Sequence, residues 1–357
     1  MKERKSVENM DRSSMVPPSM DYEYFQGAEN KPFEPEAREF SPANAWWLSE
    51  ASFLSYCHPG FARMALKLAG FPGFRFFQGT GTECMVAWND ETVITAFRGT
   101  EMRSISFFYE LITDLNAFPV EFEGGGNVHR GFRDALYEIW EDTEDGEEGL
   151  QSFLRSLTGD GPAAEDAGVG VGGPTPNKDT GRSLWLCGHS LGGALAALAF
   201  TLIPRAAGLY IYGAPRIGDG EFVRQSEGRQ VFRVEHKLDP IPMVPPDLPR
   251  INLNFSDLGT LIYIDDRGVL KSSRPRFSLE KEKAMVQKMY RRQTKRRKNI
   301  SGIAKGWWRR LVSHFKRSRR EWSAYLSALE KKAGMDMSDH MPIHYVVSLW
   351  NHLLDSD

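Results

Sequence analysis

The sequence predicts an α/β protein built on a mostly parallel central sheet flanked by helices. Three observations carry that expectation. Short apolar runs rich in β-formers alternate with segments of helical period, the pattern of strands joined by helical crossovers. One such run, Ser183 to Cys187, passes through a glycine-flanked serine straight into an Ala/Leu-rich run, Leu191 to Leu202. The chain has 357 residues, 41% hydrophobic and 26% charged, enough to bury a sizeable core. It contains no apolar run of about 18 residues that would read as a membrane span.

Taken in order, residues 1–38 are polar, carry scattered prolines and show no period, so they are expected to be mostly disordered. Ser41-Pro42 is a helix start, and Ala43, Trp46, Trp47, Ala51 and Leu54 follow at helical spacing. Strand-like runs occupy Phe74 to Phe77, Cys84 to Trp88 and Thr92 to Phe97, with Asn89-Asp90 supplying a tight turn. Val128 to Trp140 has helical character. Glu141 to Gly181 is acidic and then rich in Gly, Pro, Ala and Asp, the composition of a flexible insertion. Leu209 to Tyr212 and Val231 to Val234 are further strands, and Ile343 to Leu354 is a closing helix. The organisation expected is therefore a polar segment, 1–38, followed by one domain, 39–357, with an acidic, Gly-rich insertion at 141–181 and a basic insertion at 271–330.

The net charge of −2 conceals a strong asymmetry. Lys271 to Arg320 carries 19 Lys or Arg against two Glu, and the remainder is acidic in compensation. Such a segment calls for an acidic surface, an anionic membrane or nucleic acid. Arg291 to Lys298 packs six positive charges into eight residues, and Ile300, Ile303, Trp307, Leu311 and Phe315 then recur at spacings of three and four. A basic amphipathic helix carrying Trp suits the interface of an anionic bilayer. The alternative is a stripe packed on the core with its charges paired internally. Nucleic acid is the weaker partner, since no base-reading motif accompanies the charge. The polar N-terminus lacks the apolar stretch of a secretory signal. Cys84 and Cys187 lie in apolar runs and read, with Cys57, as free thiols of a reducing compartment. Together these point to a cytoplasmic protein with peripheral membrane contact. Neither a metal site nor a cofactor site is suggested.

The chemistry centres on Gly188-His189-Ser190-Leu191-Gly192, a G-x-S-x-G pattern. A serine on a tight strand-to-helix turn needs a strained backbone, and flanking glycines let strand and helix approach without Cβ clashes. A serine hydroxyl also needs a base, and the base an orienting acid. In folds carrying this elbow they follow in the order serine, acid, histidine. Asp239, just beyond the Val231 to Val234 strand, is the acid candidate, with Glu235 as the fallback. Among His236, His314, His340, His344 and His352, His340 lies on the loop entering the last helix, and His344 is its rival one turn later. Oxyanion donors are expected at the Leu191 N–H and at Thr100, on the loop leaving the Thr92 to Phe97 strand.

Several motifs in one order extend this reading: Asn44 to Tyr56, Ala96 to Thr100, Thr113-Asp114-Leu115, Val128 to Phe132, Cys187 to Leu195, Tyr212 to Asp219, Arg233 to Pro246 and Asp339 to Tyr345. In these the chain resembles the class 3 lipase family, the fungal-lipase-like branch of the α/β-hydrolases. The resemblance implies an α/β-hydrolase fold and a carboxylic-ester hydrolase, lipase or phospholipase. It implies Ser190 as nucleophile, Asp239 as acid, His340 as base in an H-x4-Y ending with Tyr345, and Thr100 and Leu191 as oxyanion donors. It also matches His129 to a family position near the site but outside the triad. The chain departs from the family pattern in the long Asp239 to His340 span and in the 141–181 insertion, which bear on access and substrate. Residues 101–113 could form either a lid or a fixed core helix. Two other functions fit the same fold: a non-catalytic interaction module, and a hydrolase of small soluble esters or thioesters.

Overall fold

The computed structural model describes residue 5 and residues 22–100, 119–159, 181–245, 254–275 and 337–356. Helix α1 (Pro42–Leu54) starts where the sequence places it. Ser41 accepts a hydrogen bond from the Asn44 amide at 3.0 Å, and Pro42 sits in the first turn, where no N–H is required. Ala43 through Leu54 are all buried, so the helix is covered on every side, its polar residues Asn44, Ser49, Glu50 and Ser52 included. After α2 (Pro59–Leu68) comes an antiparallel meander of β1 (Gly73–Gln78), β2 (Glu83–Trp88) and β3 (Thr92–Phe97). A small hairpin of β4 (Pro119–Glu121) and β5 (Asn127–His129) leads into α3 (Arg130–Trp140) and α4 (Leu150–Thr158). Two crossover units follow: β6 (Ser183–His189), α5 (Leu191–Thr201), β7 (Gly208–Tyr212), α6 (Gly220–Arg224) and β8 (Val231–His236). Strands β9 (Thr260–Ile264) and β10 (Leu270–Lys271) end the sheet, and α7 (Pro342–Asp355) closes the described chain.

Among the described residues the main sheet has the order β1-β2-β3-β6-β7-β8-β9-β10. The block from β3 to β9 is parallel, and the pairings outside it are antiparallel. Side chains alternate between two cores with the period of two that a pleated strand imposes. Leu184 and Leu186 of β6, with Leu209 and Ile211 of β7, face α3, α4 and α5. Trp185, Cys187, Tyr210 and Tyr212 face the opposite layer, made by α1, α2 and α7. The sheet is thus covered on both faces, as a parallel block requires. Its central strands point their C-terminal ends, where Ser190 follows β6, toward one edge.

Two expectations need correction. Residues 22–38 are not disordered: Phe25 is buried, Trp47 donates to the Lys31 carbonyl at 2.7 Å, and Phe33 packs edge-on to Trp185. Their aromatics supply the apolar surface that polar composition concealed. Within the 141–181 insertion, α4 is a docked helix whose Leu150 and Leu154 enter the core beside α3, while 160–180 lie outside the described residues. The basic insertion begins inside the fold. Lys271 belongs to β10 and pairs with Asp265 at 2.5 Å, and Arg274 is buried. Residues 276–336 and 101–118, which include the amphipathic stripe and the lid candidate, lie outside the described residues. Cys57, Cys84 and Cys187 are buried free thiols.

The docking of α4 is testable. Leu154 is 1% exposed, so Leu154→Ala leaves a cavity between α4 and the sheet and costs about 2–5 kcal/mol. Urea unfolding should show the midpoint falling; an unchanged midpoint would mean that α4 adds nothing to the core.

Candidate active site

The parallel ladder carries the chain one residue past β6, where the Ser190 amide donates to the Tyr212 carbonyl at 2.9 Å. There the backbone breaks abruptly into α5. Ser190 sits at φ 58°, ψ −127°, a left-handed φ that L-residues avoid. Such strain persists only where the surroundings over-determine it, here a strand on one side and a fully buried helix on the other. Leu191 is the first helical residue, so its N–H has no acceptor within the helix. The Arg98-Gly99-Thr100 loop leaves β3 beside this turn. A Cβ on Gly99 would collide with the His189 carbonyl and the Tyr56 hydroxyl, so only glycine lets the loop lie so close. Thr100 follows directly.

The structure brings Ser190, His340 and Asp239 together from positions up to 150 residues apart. Ser190 Oγ is 2.9 Å from His340 Nε2, and His340 Nδ1 is 2.8 Å from Asp239 Oδ2. All three residues are buried. Asp239 Oδ2 also accepts the Tyr345 hydroxyl at 2.5 Å, and Oδ1 accepts the Ile241 amide at 2.8 Å. Burial, followed by the charge of Asp239, holds the Tyr345 hydroxyl well above the ordinary phenol range, so Tyr345 is the donor. Gly213, at φ 54°, floors this junction. A Cβ there would stand 2.6 Å from Asp239 Oδ2 and 3.0 Å from His340 Nδ1.

The loop carrying His340 is fastened on both sides. On one, His189 Nε2 donates to the His340 carbonyl at 2.6 Å, and His189 Nδ1 accepts the Tyr56 hydroxyl, 2.9 Å away. A carbonyl can only accept, so this fixes the tautomer as Nε2–H. Burial first, and then His340, push the His189 pKa well below its ordinary value, so the ring stays neutral. Tyr56 lies under the Arg98 guanidinium, 5.9 Å from its ring centroid, and Arg98 is paired with Glu83. On the other side, Asp339 Oδ2 accepts the Leu238 amide at 3.2 Å, and its carbonyl accepts from His236 Nδ1 at 3.2 Å.

The remaining candidates fall elsewhere. Glu235 is committed to Arg274, through Nε at 2.5 Å and Nη2 at 2.7 Å, and to Arg233. His344 lies in α7 with its ring 5.4 Å from that of His236, while Ser190 Oγ bonds His340. His314 lies outside the described residues. His129 is buried and stacked on Phe132 at 4.1 Å. Tyr56 and His189 hold the His340 loop without having been candidates from sequence, although both lie inside the matching motifs. The available signal was their place, Tyr56 just after an apolar helix and His189 directly before the serine.

Residues 94–248, a little under half of the chain, match the model of the family described as Lipase (class 3). The chain is 43% identical over 65 residues to the secreted mono- and diacylglycerol lipase 1 of Fusarium solani, covering 16% of this chain and 19% of that protein. It is 32% identical over 107 residues to phospholipase A1-IIgamma of Arabidopsis thaliana, covering 25% and 24%. With triacylglycerol lipase OBL1 of the same plant it shares 29% identity over 182 residues, 43% and 34% of the two chains. It therefore spans about a third or less of the length of these relatives. Lipase II from Rhizopus niveus is a structural neighbour at 20% identity and a TM-score of 0.43, over 64% of this chain and 83% of that one. Among the described residues no helix is long and apolar enough to cross a membrane.

His236, beside the site, sets a pH dependence. Burial above all, then Lys237 and His344, lower its pKa from 6.5 to about 3. Below 6.5 the unfolded chain binds a proton that the native state refuses, so stability is lost as pH falls from 6.5 toward about 3. His236→Asn keeps a donor for the Asp339 carbonyl and removes the titration. Its unfolding free energy should fall less steeply with acid than that of the wild type; parallel slopes would place His236 in a solvated setting.

Proposed function

We propose that this chain is a serine hydrolase of carboxylic esters, acting on lipid acyl esters as a lipase or phospholipase through Ser190, His340 and Asp239. The observation that carries this reading is the unbroken hydrogen-bond chain from Ser190 Oγ through His340 to Asp239, set on a serine held at φ 58°. Ser190 Oγ attacks the acyl carbon as His340 Nε2 takes its proton. The ester C–O bond then breaks, and the leaving alkoxide takes that proton, leaving an acyl-enzyme. Water repeats the sequence and frees the acid. Asp239 keeps the His340 proton on Nδ1 and stabilises the imidazolium that forms. The oxyanion is met by the Leu191 N–H, at the positive end of α5, and by Thr100. The class 3 lipase match and the lipases among the relatives support a lipid ester as substrate.

A panel of phospholipids, acylglycerols and short p-nitrophenyl esters tests the proposal. Ser190→Ala and His340→Ala should each lower kcat by roughly 10⁴-fold or more in a folded protein, since the triad acts as a unit. Thr100→Ala should cost about a hundredfold in kcat with little change in KM. His344→Ala should cost far less than either. A folded wild type that cleaves no ester would sink the enzyme and leave an interaction module. Preference for short soluble esters would remove lipid from the substrate class.

The basic segment suits contact with an anionic membrane, each cation near such a surface contributing ~1 kcal/mol. Lys271 and Arg274 are paired within the fold, so the charges available for this lie beyond them. Co-sedimentation with anionic vesicles should weaken with salt and vanish when Arg291 to Lys298 are neutralised. Equal sedimentation of the wild type and the neutralised variant would remove the membrane role.

A further inference from the structure

A fully buried carboxylate on α1 takes no part in the site. Glu50 has 0% exposure, a setting in which a lone ion would be untenable. Its partner is Lys5, whose Nζ lies 3.6 Å from Glu50 Oε1. The same ammonium donates to the Tyr22 hydroxyl at 3.1 Å, and that hydroxyl donates to Glu50 Oε1 at 2.9 Å. Lys5 Nζ also stands 4.9 Å from the centroid of the Tyr22 ring and 5.4 Å from that of Trp350. Its main chain is gripped as well: Asn351 Oδ1 accepts the Lys5 amide at 3.1 Å, and Asn351 Nδ2 donates to the Lys5 carbonyl at 3.0 Å. Charge, ring faces and both backbone polar groups of a single residue are each met.

We propose that Glu50, Tyr22, Trp350 and Asn351 form a recognition site for a lysine within a peptide, occupied by the chain's own Lys5 as a latch. A carboxylate, a hydroxyl and aromatic faces surround a compact cation with several rotatable donors, which suits an ammonium better than a planar guanidinium fork. An ion pair on open surface contributes little, but these side chains are 12% and 0% exposed. Removing one partner therefore strands a buried charge. Burial raises the Glu50 carboxyl above its usual range, and Lys5 is the largest influence pulling it back. The latch joins Lys5 to α1 and α7, the helices that precede Tyr56 and follow His340. It is independent of the reaction proposed above.

Chemical rescue in the full-length protein tests it. Lys5→Ala removes the segment that n-propylammonium reproduces. The variant should melt about 2–4 °C below the wild type. n-Propylammonium should restore that loss in a saturable way, n-propanol should not, and the wild type should be indifferent to both. Lys5→Ala/Glu50→Gln should lose the rescue, with Lys5→Ala/Tyr22→Phe taking its place if the Gln variant does not fold. Lys5→Met keeps the apolar stem and should still melt below the wild type. A Lys5→Ala protein that melts with the wild type, or an ammonium effect equal in the single and double variants, would overturn the site.

Discussion

Asp239 is the point at which three segments distant in sequence become one site. Its Oδ2 accepts from both His340 and Tyr345, which belong to the loop and helix that end the described chain. Its Oδ1 accepts the Ile241 amide, so the carboxylate is also tied to its own loop after β8. Gly213, at the end of β7, gives these groups the space to meet, because any side chain there would occupy the junction. No covalent continuity places a histidine beside a serine 150 positions away; this carboxylate and the two anchors of the His340 loop do it. The His340, Tyr345 and Ile241 donors all converge on this one carboxylate, which restrains the arrangement to a single geometry.

Two acids stand four positions apart at the end of β8, and their surroundings divide them. Glu235 is enclosed by Arg233 and Arg274, and Asp257 pairs with Arg216 and neighbours the other two guanidiniums. Glu235 is thereby neutralised and immobilised. Asp239 instead accepts from an imidazole, a phenol and an amide. An imidazole can gain and lose a proton near neutrality, whereas a guanidinium cannot. The difference lies in which residues reach each carboxylate, and residue spacing along β8 does not reveal it.

The short apolar strands and the largely apolar helices were legible in the sequence, because burial on both faces leaves its mark on nearly every residue. That is why β3 occupies Thr92–Phe97 as expected, and why α1 begins at Ser41-Pro42. The Ser190 elbow was legible for the same reason, since its glycines answer a local steric demand. Non-local partnerships were not. Tyr56 and His189 are 133 positions apart, and neither carries a local pattern announcing that their bond holds the His340 loop. The packed residues 22–38 and helix α4 were hidden by composition, because a few aromatic or leucine side chains suffice to dock a segment that is polar on average.

The long span between Asp239 and His340 is physically cheap for the same network. The entropic cost of closing a connection grows only logarithmically with its length, so each doubling costs about 0.6 kcal/mol. What an insertion must respect is the position of its two ends. Here Arg274 fixes the outgoing end on Glu235 of β8, and Asp339 fixes the returning end on Leu238 and His236 of the same strand and its loop. Both ends are held within a few residues of Asp239, on opposite sides of the gap that covalent connection leaves. The geometry of Asp239 and His340 therefore depends on these anchors and very little on the length between them. A basic segment could enter at this place without altering the hydrogen bonds on which the site is built.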